Sequence, residues 1–169
     1  MPFRNNVTRL LEARKVSYTV FEFSPEKHSA EETATLLGVP EDHVYKTLVV
    51  LREVKGKKPL LVMVPGGREL DLKKLAASLG EKKLRMATQK EAEAITGLLT
   101  GGISALALLN KGFEICLERA ADKLDYVYVS AGQRGADIRL APHDLAAVTG
   151  CRWVDTIQVD SGTAPEVKG

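Results

Sequence analysis

The chain has 169 residues, a length that suits a single domain. Hydrophobic residues make up 44% and charged residues 27% of it, and no apolar run approaches the roughly 20 residues needed to span a membrane. The formal net charge of +2 is too small by itself to indicate a nucleic-acid-binding protein. The N-terminus lacks the apolar core of a signal peptide, so we expect a cytoplasmic protein without a membrane partner.

Apolar periodicity and capping residues predict helices separated by strands. One predicted helix covers residues 6–15. Three more begin after the capping residues Ser29, Asp71 and Thr88 and end at Gly38, Gly80 and Gly97, respectively. A fifth runs from Pro142 to Gly150. The predicted strands are 18–23, 44–52, 60–64, 105–109, 113–117 and 126–129. A turn at 55–59 makes the second and third strands a hairpin.

Strands that follow one another through turns favour a mixed or antiparallel sheet over a doubly wound one. We therefore predict an α/β (α+β) fold whose curled sheet approaches a barrel, with helices packed outside. One domain is expected over residues 1–157. Residues 158–169 are polar, contain Gly and Pro, and are expected to form a flexible tail.

Lys46 is the most informative single residue. It shares a face of the strand 44–52 with Val44, Leu48 and Val50, so its ammonium is expected to lie in mostly apolar surroundings. A lysine is rarely buried without a partner. Lys46 is therefore either a ligand-binding cation or a side chain at a strand end that extends to water.

Two glycine-rich segments, 96–104 and 130–137, give the next signal. Glycines let backbone N–H groups approach an anion or a developing oxyanion closely, although tight turns have the same composition. Neither spacing fits a Walker A or dinucleotide-binding motif. Asp137 can pair with Lys46 or a substrate amine, or it can cap a turn.

Other chemistry is not supported. His28, His43 and His143 lack metal-ligand spacing, so neither a metal nor another cofactor is expected. Cys116 and Cys151 are expected to be reduced thiols, with Cys116 in the core. Ser104 lacks a nucleophile elbow, and no nucleophile–base pair is evident. Three clusters of basic residues either permit RNA binding or are solvated surface. The first contains Lys55, Lys57 and Lys58, the second Lys73 and Lys74, and the third Lys82, Lys83 and Arg85.

Four motifs in one order resemble the YbaK/prolyl-tRNA synthetase-associated domain family over about residues 5–157. They are V-Y-K-T-L at 44–48, L-D-L-K-K at 70–74, T-G followed by G-G-I-S within 96–104, and S-A-G-Q-R-G-A-D-I at 130–138. The resemblance implies an editing deacylase that clears Cys-tRNA(Pro), with Cys-tRNA(Cys) as a further substrate, through attack by the substrate's own thiol. The implied partners are the acceptor end of tRNA(Pro) carrying a small amino acid and prolyl-tRNA synthetase, without DNA.

The resemblance also assigns roles to residues. Lys46 would be the essential residue, and Gly101 would make a backbone contact to the substrate. Because an ordinary lysine side chain is charged at neutral pH, we expect Lys46 to act as a fixed cation rather than a base. The remaining substrate-binding residues would be Phe23, Gly102, Ile103, Ser104, Ser130, Gly132, Arg134 and Asp137.

Three departures from the family pattern bear on the amino-acid preference. Ala105 and Ala107 replace a Pro and a Gly, and Phe23 stands where a Tyr is frequent. The alternatives are an alanyl-tRNA(Pro) deacylase that uses water and a non-catalytic module that binds tRNA or a synthetase.

Overall fold

The computed structural model describes residues 3–54 and 56–158. In chain order the elements are α1 Asn6–Ala13, β1 Thr19–Glu22, α2 Ala30–Leu37, β2 Tyr45–Arg52, β3 Leu60–Pro65, α3 Leu72–Leu79, β4 Leu84–Met86, α4 Gln89–Thr96, β5 Glu114–Glu118, β6 Val127–Ser130, β7 Ala136–Leu140, α5 Pro142–Thr149 and β8 Arg152–Val154. Short 3₁₀ helices occupy Glu41–His43, Leu106–Leu108 and Arg119–Lys123. No described helix has the length and apolar character that crossing a membrane requires.

The helices begin at the predicted capping residues. Ser29 and Thr88 each accept a hydrogen bond from the backbone N–H of the glutamate three residues on, and that glutamate returns the bond. Asp71 accepts from the N–H groups of Lys73 and Lys74. The helix predictions are thus confirmed, apart from small differences in their ends.

The strands form two sheets, in the orders β1-β7-β6 and β4-β2-β3-β5-β8. β2 and β3 make the predicted antiparallel hairpin, whereas β3–β5 and β5–β8 are parallel. A single bridge between Val44 and Tyr128 joins the sheets. The predicted curled, mixed sheet is therefore confirmed, and the curl stops short of a closed barrel.

Two layers of apolar side chains stabilise this arrangement. Tyr45, Val49 and Leu61 of the larger sheet face Val129 and Ile138 of the smaller one in the main core. On its other face, the larger sheet packs against α3. That second layer includes Val50, Val62, Leu75 and the fully buried Cys116, which lies in the core as predicted.

Several sequence predictions were wrong. Residues 105–109 are not a strand but contain the buried 3₁₀ helix Leu106–Leu108, because alanine and leucine favour helical backbone and a short apolar run carries no period. The strands β4, β7 and β8 were missed, and Asp137, at the end of the second glycine-rich segment, lies on β7 rather than in a loop. Lys55, in the predicted turn, and residues 159–169 of the predicted tail lie outside the described residues.

Candidate functional site

A pocket of about 310 Å³ opens where the two sheets separate. Val44, the residue before β2, makes the one described bridge to β6, and the pairing of β2 with β4 begins at Val50. The edge of β2 between these points forms one wall of the pocket, and Ser130 and Asp137 belong to the opposite wall. The start of α2 and the loop around Gly101 complete the lining.

The alternation of side chains along the strands explains which groups meet there. Val44 and Tyr128 pack in one cluster beneath α2. Lys46 is two residues beyond Val44, and Ser130 is two residues beyond Tyr128, so both project towards the same side of the sheets. Asp137 pairs with Ser130 across β6 and β7 and shares that side. Of the predicted site residues, the pocket is lined by Lys46, Gly101, Ile103, Ser130 and Asp137.

Lys46 is half-buried, and its strand neighbours Thr47 and Leu48 are half-buried as well. Within the described chain, no carboxylate oxygen lies within 4.0 Å of its ammonium nitrogen, so it forms no ion pair with Asp137. Its charge therefore faces the pocket without a protein counter-ion in these residues. Such a cation suits a phosphate or a polarised carbonyl group.

Asp137 is the buried acid of the pocket, with 7% of its surface exposed. Burial raises the pKa of its carboxyl group from an ordinary 3.8 to about 7, because a charged carboxylate loses its hydration there. At neutral pH its charged and neutral forms are therefore both populated. It can accept the positive amino group of a ligand or hold a proton itself.

Gly101 supplies backbone rather than a side chain. Its φ of +97° lies in the left-handed region that glycine adopts without strain. Its N–H has no hydrogen-bond partner among residues 3–54 and 56–158. This free donor at the pocket surface is suited to a substrate oxygen.

The two glycine-rich segments touch each other. A Cβ atom on Gly102 would lie 2.9 Å from the backbone of Gln133 and Arg134, a distance at which backbone must shift. The Arg134 Nε donates a hydrogen bond to the Thr100 carbonyl at 2.8 Å. Arg134 and Gly102 therefore hold the Gly101 loop in place rather than line the pocket.

The other predicted residues outside the pocket lining also support it. Gly132 donates its N–H to the Ser130 hydroxyl at 3.1 Å. Ser104 is buried and accepts a hydrogen bond from the Ala107 N–H, which starts the 3₁₀ helix. The Phe23 ring packs edge-on against His28, with ring centroids 5.6 Å apart.

Sequence reasoning missed the contribution of the start of α2. The pocket lining includes Lys27, His28, Ser29, Ala30, Glu31 and Thr33. The capping box at Ser29 predicted where the helix begins, but its position over the pocket depends on tertiary packing. A Cβ on Gly66 would lie 2.6 Å from the Ala30 Cβ, so Gly66 admits the helix at this distance.

His28 forms no catalytic pair with its hydroxyl neighbour. Its Nε2 lies 3.0 Å from the Ser24 hydroxyl and 3.2 Å from the Ser24 carbonyl oxygen. Ser24 itself does not line the pocket, so this contact brings no nucleophile to the substrate space. The three basic clusters do not line the pocket, as far as their described members show. Nor do three His, Cys, Asp or Glu side chains meet as a metal site within the described ranges.

Comparison with known proteins identifies the family of the chain. The sequence matches the Aminoacyl-tRNA editing domain family over residues 24–148. An Enterococcus faecalis protein provisionally named Cys-tRNA(Pro)/Cys-tRNA(Cys) deacylase EbsC is 38% identical over 154 residues, which cover 90% of this chain and 92% of that protein. A proline–tRNA ligase from Thermodesulfovibrio yellowstonii is 42% identical over 79 residues, covering 47% of this chain and 13% of the ligase.

A solved structure supports the same relationship. A crystal structure described provisionally as a trans-editing enzyme for prolyl tRNA synthetase superposes with a TM-score of 0.76 and 27% identity, covering 93% of this chain and 100% of that one. The resemblance found in the four sequence motifs is confirmed, and the chain belongs to the aminoacyl-tRNA editing domain family.

Proposed function

We propose that this chain is a trans-editing deacylase that removes cysteine from Cys-tRNA(Pro), with Cys-tRNA(Cys) as a second substrate. Family membership and the provisional name of the Enterococcus faecalis relative support the substrate class. The observation that carries the proposal is the meeting of Lys46, Gly101 and Asp137 in one pocket. Among the described residues that pocket contains no nucleophile–base pair, so its chemistry suits a substrate that brings its own nucleophile.

Editing of this kind answers a limit of molecular recognition. A synthetase pocket separates amino acids that differ by one methylene group by only about 1–3 kcal/mol. Cysteine and proline are similar in size, so a site for proline admits some cysteine. A second site that cleaves the wrong product restores accuracy without improving the first pocket.

Each pocket group has a role on an aminoacyl ester. The Lys46 ammonium neutralises the phosphate of the terminal adenosine or the ester carbonyl oxygen as charge develops on it. The Gly101 N–H donates to that same oxygen. The Asp137 carboxylate binds the α-ammonium group of the amino acid, which keeps the side-chain thiol directed at the carbonyl.

The bond changes then need no protein nucleophile. The cysteine sulfur attacks the ester carbonyl carbon, so a carbon–sulfur bond forms and the bond from that carbon to the ribose oxygen breaks. The thiol proton passes to the ribose oxygen. The products are a cyclic thiolactone and tRNA with a free terminal hydroxyl group. Holding thiol and carbonyl at contact distance supplies the rate by proximity.

The first experiment measures deacylation of Cys-, Ala- and Pro-tRNA(Pro) and of Cys-tRNA(Cys) by the wild-type chain and by Lys46→Ala. We expect cysteine release to dominate and to fall on the order of 100-fold in Lys46→Ala, the usual effect of removing one electrostatic group. The exposed Lys123→Ala is the matched control and should retain full activity. Full activity of Lys46→Ala, or release from none of the four substrates, would contradict the proposal.

The second experiment tests the thiol. In 2-aminobutyryl-tRNA(Pro) a methyl group replaces the thiol with little change in size, so a thiol-driven enzyme should leave it intact. Equal cleavage of the two substrates would instead support hydrolysis by water, as in an alanyl-tRNA(Pro) deacylase. Binding of tRNA(Pro) without cleavage of any substrate would support a non-catalytic module.

A further inference from the structure

The pocket contains a length of strand edge without a strand partner. Pairing of β2 with β6 is limited to the Val44–Tyr128 bridge, and pairing with β4 covers Val50 to Arg52. Beyond that ladder, the Val49 carbonyl still accepts a hydrogen bond from the Ala87 N–H at 3.0 Å. Thr47 lies between these contacts and lines the pocket.

The register shows which way the Thr47 backbone faces. Successive residues of a strand direct their N–H and C=O groups to opposite edges. The Val44 carbonyl accepts from the Gly66 N–H on the β3 side, and the Val49 carbonyl accepts from Ala87 on the other side. Thr47 is two residues before Val49, so both its N–H and its C=O face the open edge. No ladder or bridge pairs Thr47 with another strand at this edge within residues 3–54 and 56–158.

A single strand residue presents its N–H and C=O as a closely spaced donor and acceptor, the set that it would exchange with a paired strand. Adenine carries the complementary set on its Watson–Crick edge, where N1 accepts and the N6 amino group donates. Guanine reverses both positions, because its N1 donates and its O6 accepts. The open edge therefore matches adenine in one orientation of the base and would meet guanine only with the base turned over.

We propose that the backbone of Thr47 binds the adenine of the 3′-terminal adenosine of tRNA, its N–H donating to N1 and its C=O accepting from N6. This inference rests on the proposed function, since that adenosine carries the aminoacyl ester. The flat base lies in the gap between the sheets as an extension of the β2 edge. Lys46, the preceding residue, is then placed for the phosphate of the same nucleotide.

The test uses cysteine-charged RNA minihelices that differ only in their terminal base. Purine riboside lacks the N6 amino group, 1-deazaadenosine lacks the N1 acceptor, and 7-deazaadenosine keeps both. Loss of one hydrogen bond should lower kcat/KM about tenfold for the first two. The 7-deaza substrate should stay within about twofold of adenosine. Binding of the uncharged minihelices should rank the four terminal bases in the same way. This measurement of Kd does not require deacylation.

Equal rates and equal Kd values for adenosine, purine riboside and 1-deazaadenosine would overturn the inference. A lower kcat/KM for 7-deazaadenosine alone would also overturn it, because the contact would then lie on the other edge of the base. Failure of the proposed function gives a different result, because no charged minihelix is then cleaved while the Kd comparison remains readable.

A pair of variants assigns the contact to the backbone. Thr47→Pro removes the N–H that faces the open edge, whereas Thr47→Val keeps this N–H. Proline is tolerated at an unpaired strand edge. Thr47→Pro should process adenosine and 1-deazaadenosine ends at the same rate, and Thr47→Val should keep the tenfold difference. Retained discrimination in Thr47→Pro, or its loss in Thr47→Val, would contradict a backbone reading of adenine.

Discussion

Asp137 links pH to both stability and binding. Burial raises the pKa of its carboxyl group from 3.8 to about 7, so between these values the folded chain holds a proton that the unfolded chain has lost. The free energy of unfolding should therefore fall as pH rises from about 4 to about 7 and stay lower above it. Asp137→Asn removes this fall and should be more stable than wild type at pH 8, by up to roughly 4 kcal/mol. Urea unfolding at several pH values measures the difference.

The matched control is Asp125→Asn, which alters an exposed carboxylate and should follow the wild-type pH profile. Asp137→Asn should also weaken deacylation, because a neutral amide no longer pairs with the substrate ammonium. If the free energy of unfolding differed between Asp137→Asn and wild type by the same amount at pH 4 and pH 8, the titration of this carboxyl group would not be the cause of the difference.

At the scale of elements, the contact between the two glycine-rich segments shapes the pocket. Gly102→Ala places a methyl group 2.9 Å from the Gln133–Arg134 backbone, which has no flexible end that can move aside. We expect the Gly101 loop to shift, deacylation to fall at least about tenfold, and stability to fall by roughly 1–3 kcal/mol. Steady-state kinetics and thermal unfolding of the variant measure these effects.

Gly150→Ala separates the loss of activity from a loss of stability. Gly150 ends α5 at a φ of +65°, and a Cβ there meets nothing within 4 Å. The variant should lose about 1 kcal/mol of stability and keep its activity. Equal loss of activity in both glycine variants would mean that the Gly102 contact has no special effect on the site.

The same scale shows what the sequence could and could not predict. Caps and hairpins depend on neighbouring residues, so Ser29, Asp71 and Thr88 predicted helix starts within a residue or so. The short strand β4 depends on its partner β2, and no local pattern marked it. The four motifs predicted the family and five of the residues that line the pocket. The open edge at Thr47 was not predicted, because it follows from the point at which two sheets separate.

Across the whole molecule, the two ends of β2 have different tasks. One end forms the pocket wall, and the other end is held by Arg52, whose side chain is 8% exposed. Arg52 bonds Glu81 at 3.2 Å and Glu114 at 2.9 Å, so it ties β2 to the segment after α3 and to β5. Burial acts to raise the pKa of Glu81, but hydrogen bonds from Arg52 and Lys57 hold it below its ordinary value.

Arg52→Met should therefore reduce stability without changing the choice of substrate. It leaves a buried carboxylate with only Lys57 beside it, a loss of roughly 3 kcal/mol, or about 6–12 °C in Tm. A carboxylate with a lowered pKa stabilises the fold above its ordinary pKa, so the loss should be full at pH 7 and shrink as pH falls below about 4. The exposed pair of Arg119 and Asp155 provides the control, since Arg119→Met should leave Tm nearly unchanged. If Arg52→Met instead altered the ratio of Cys- to Ala-tRNA(Pro) deacylation at a temperature where it is folded, the two ends of β2 would be coupled.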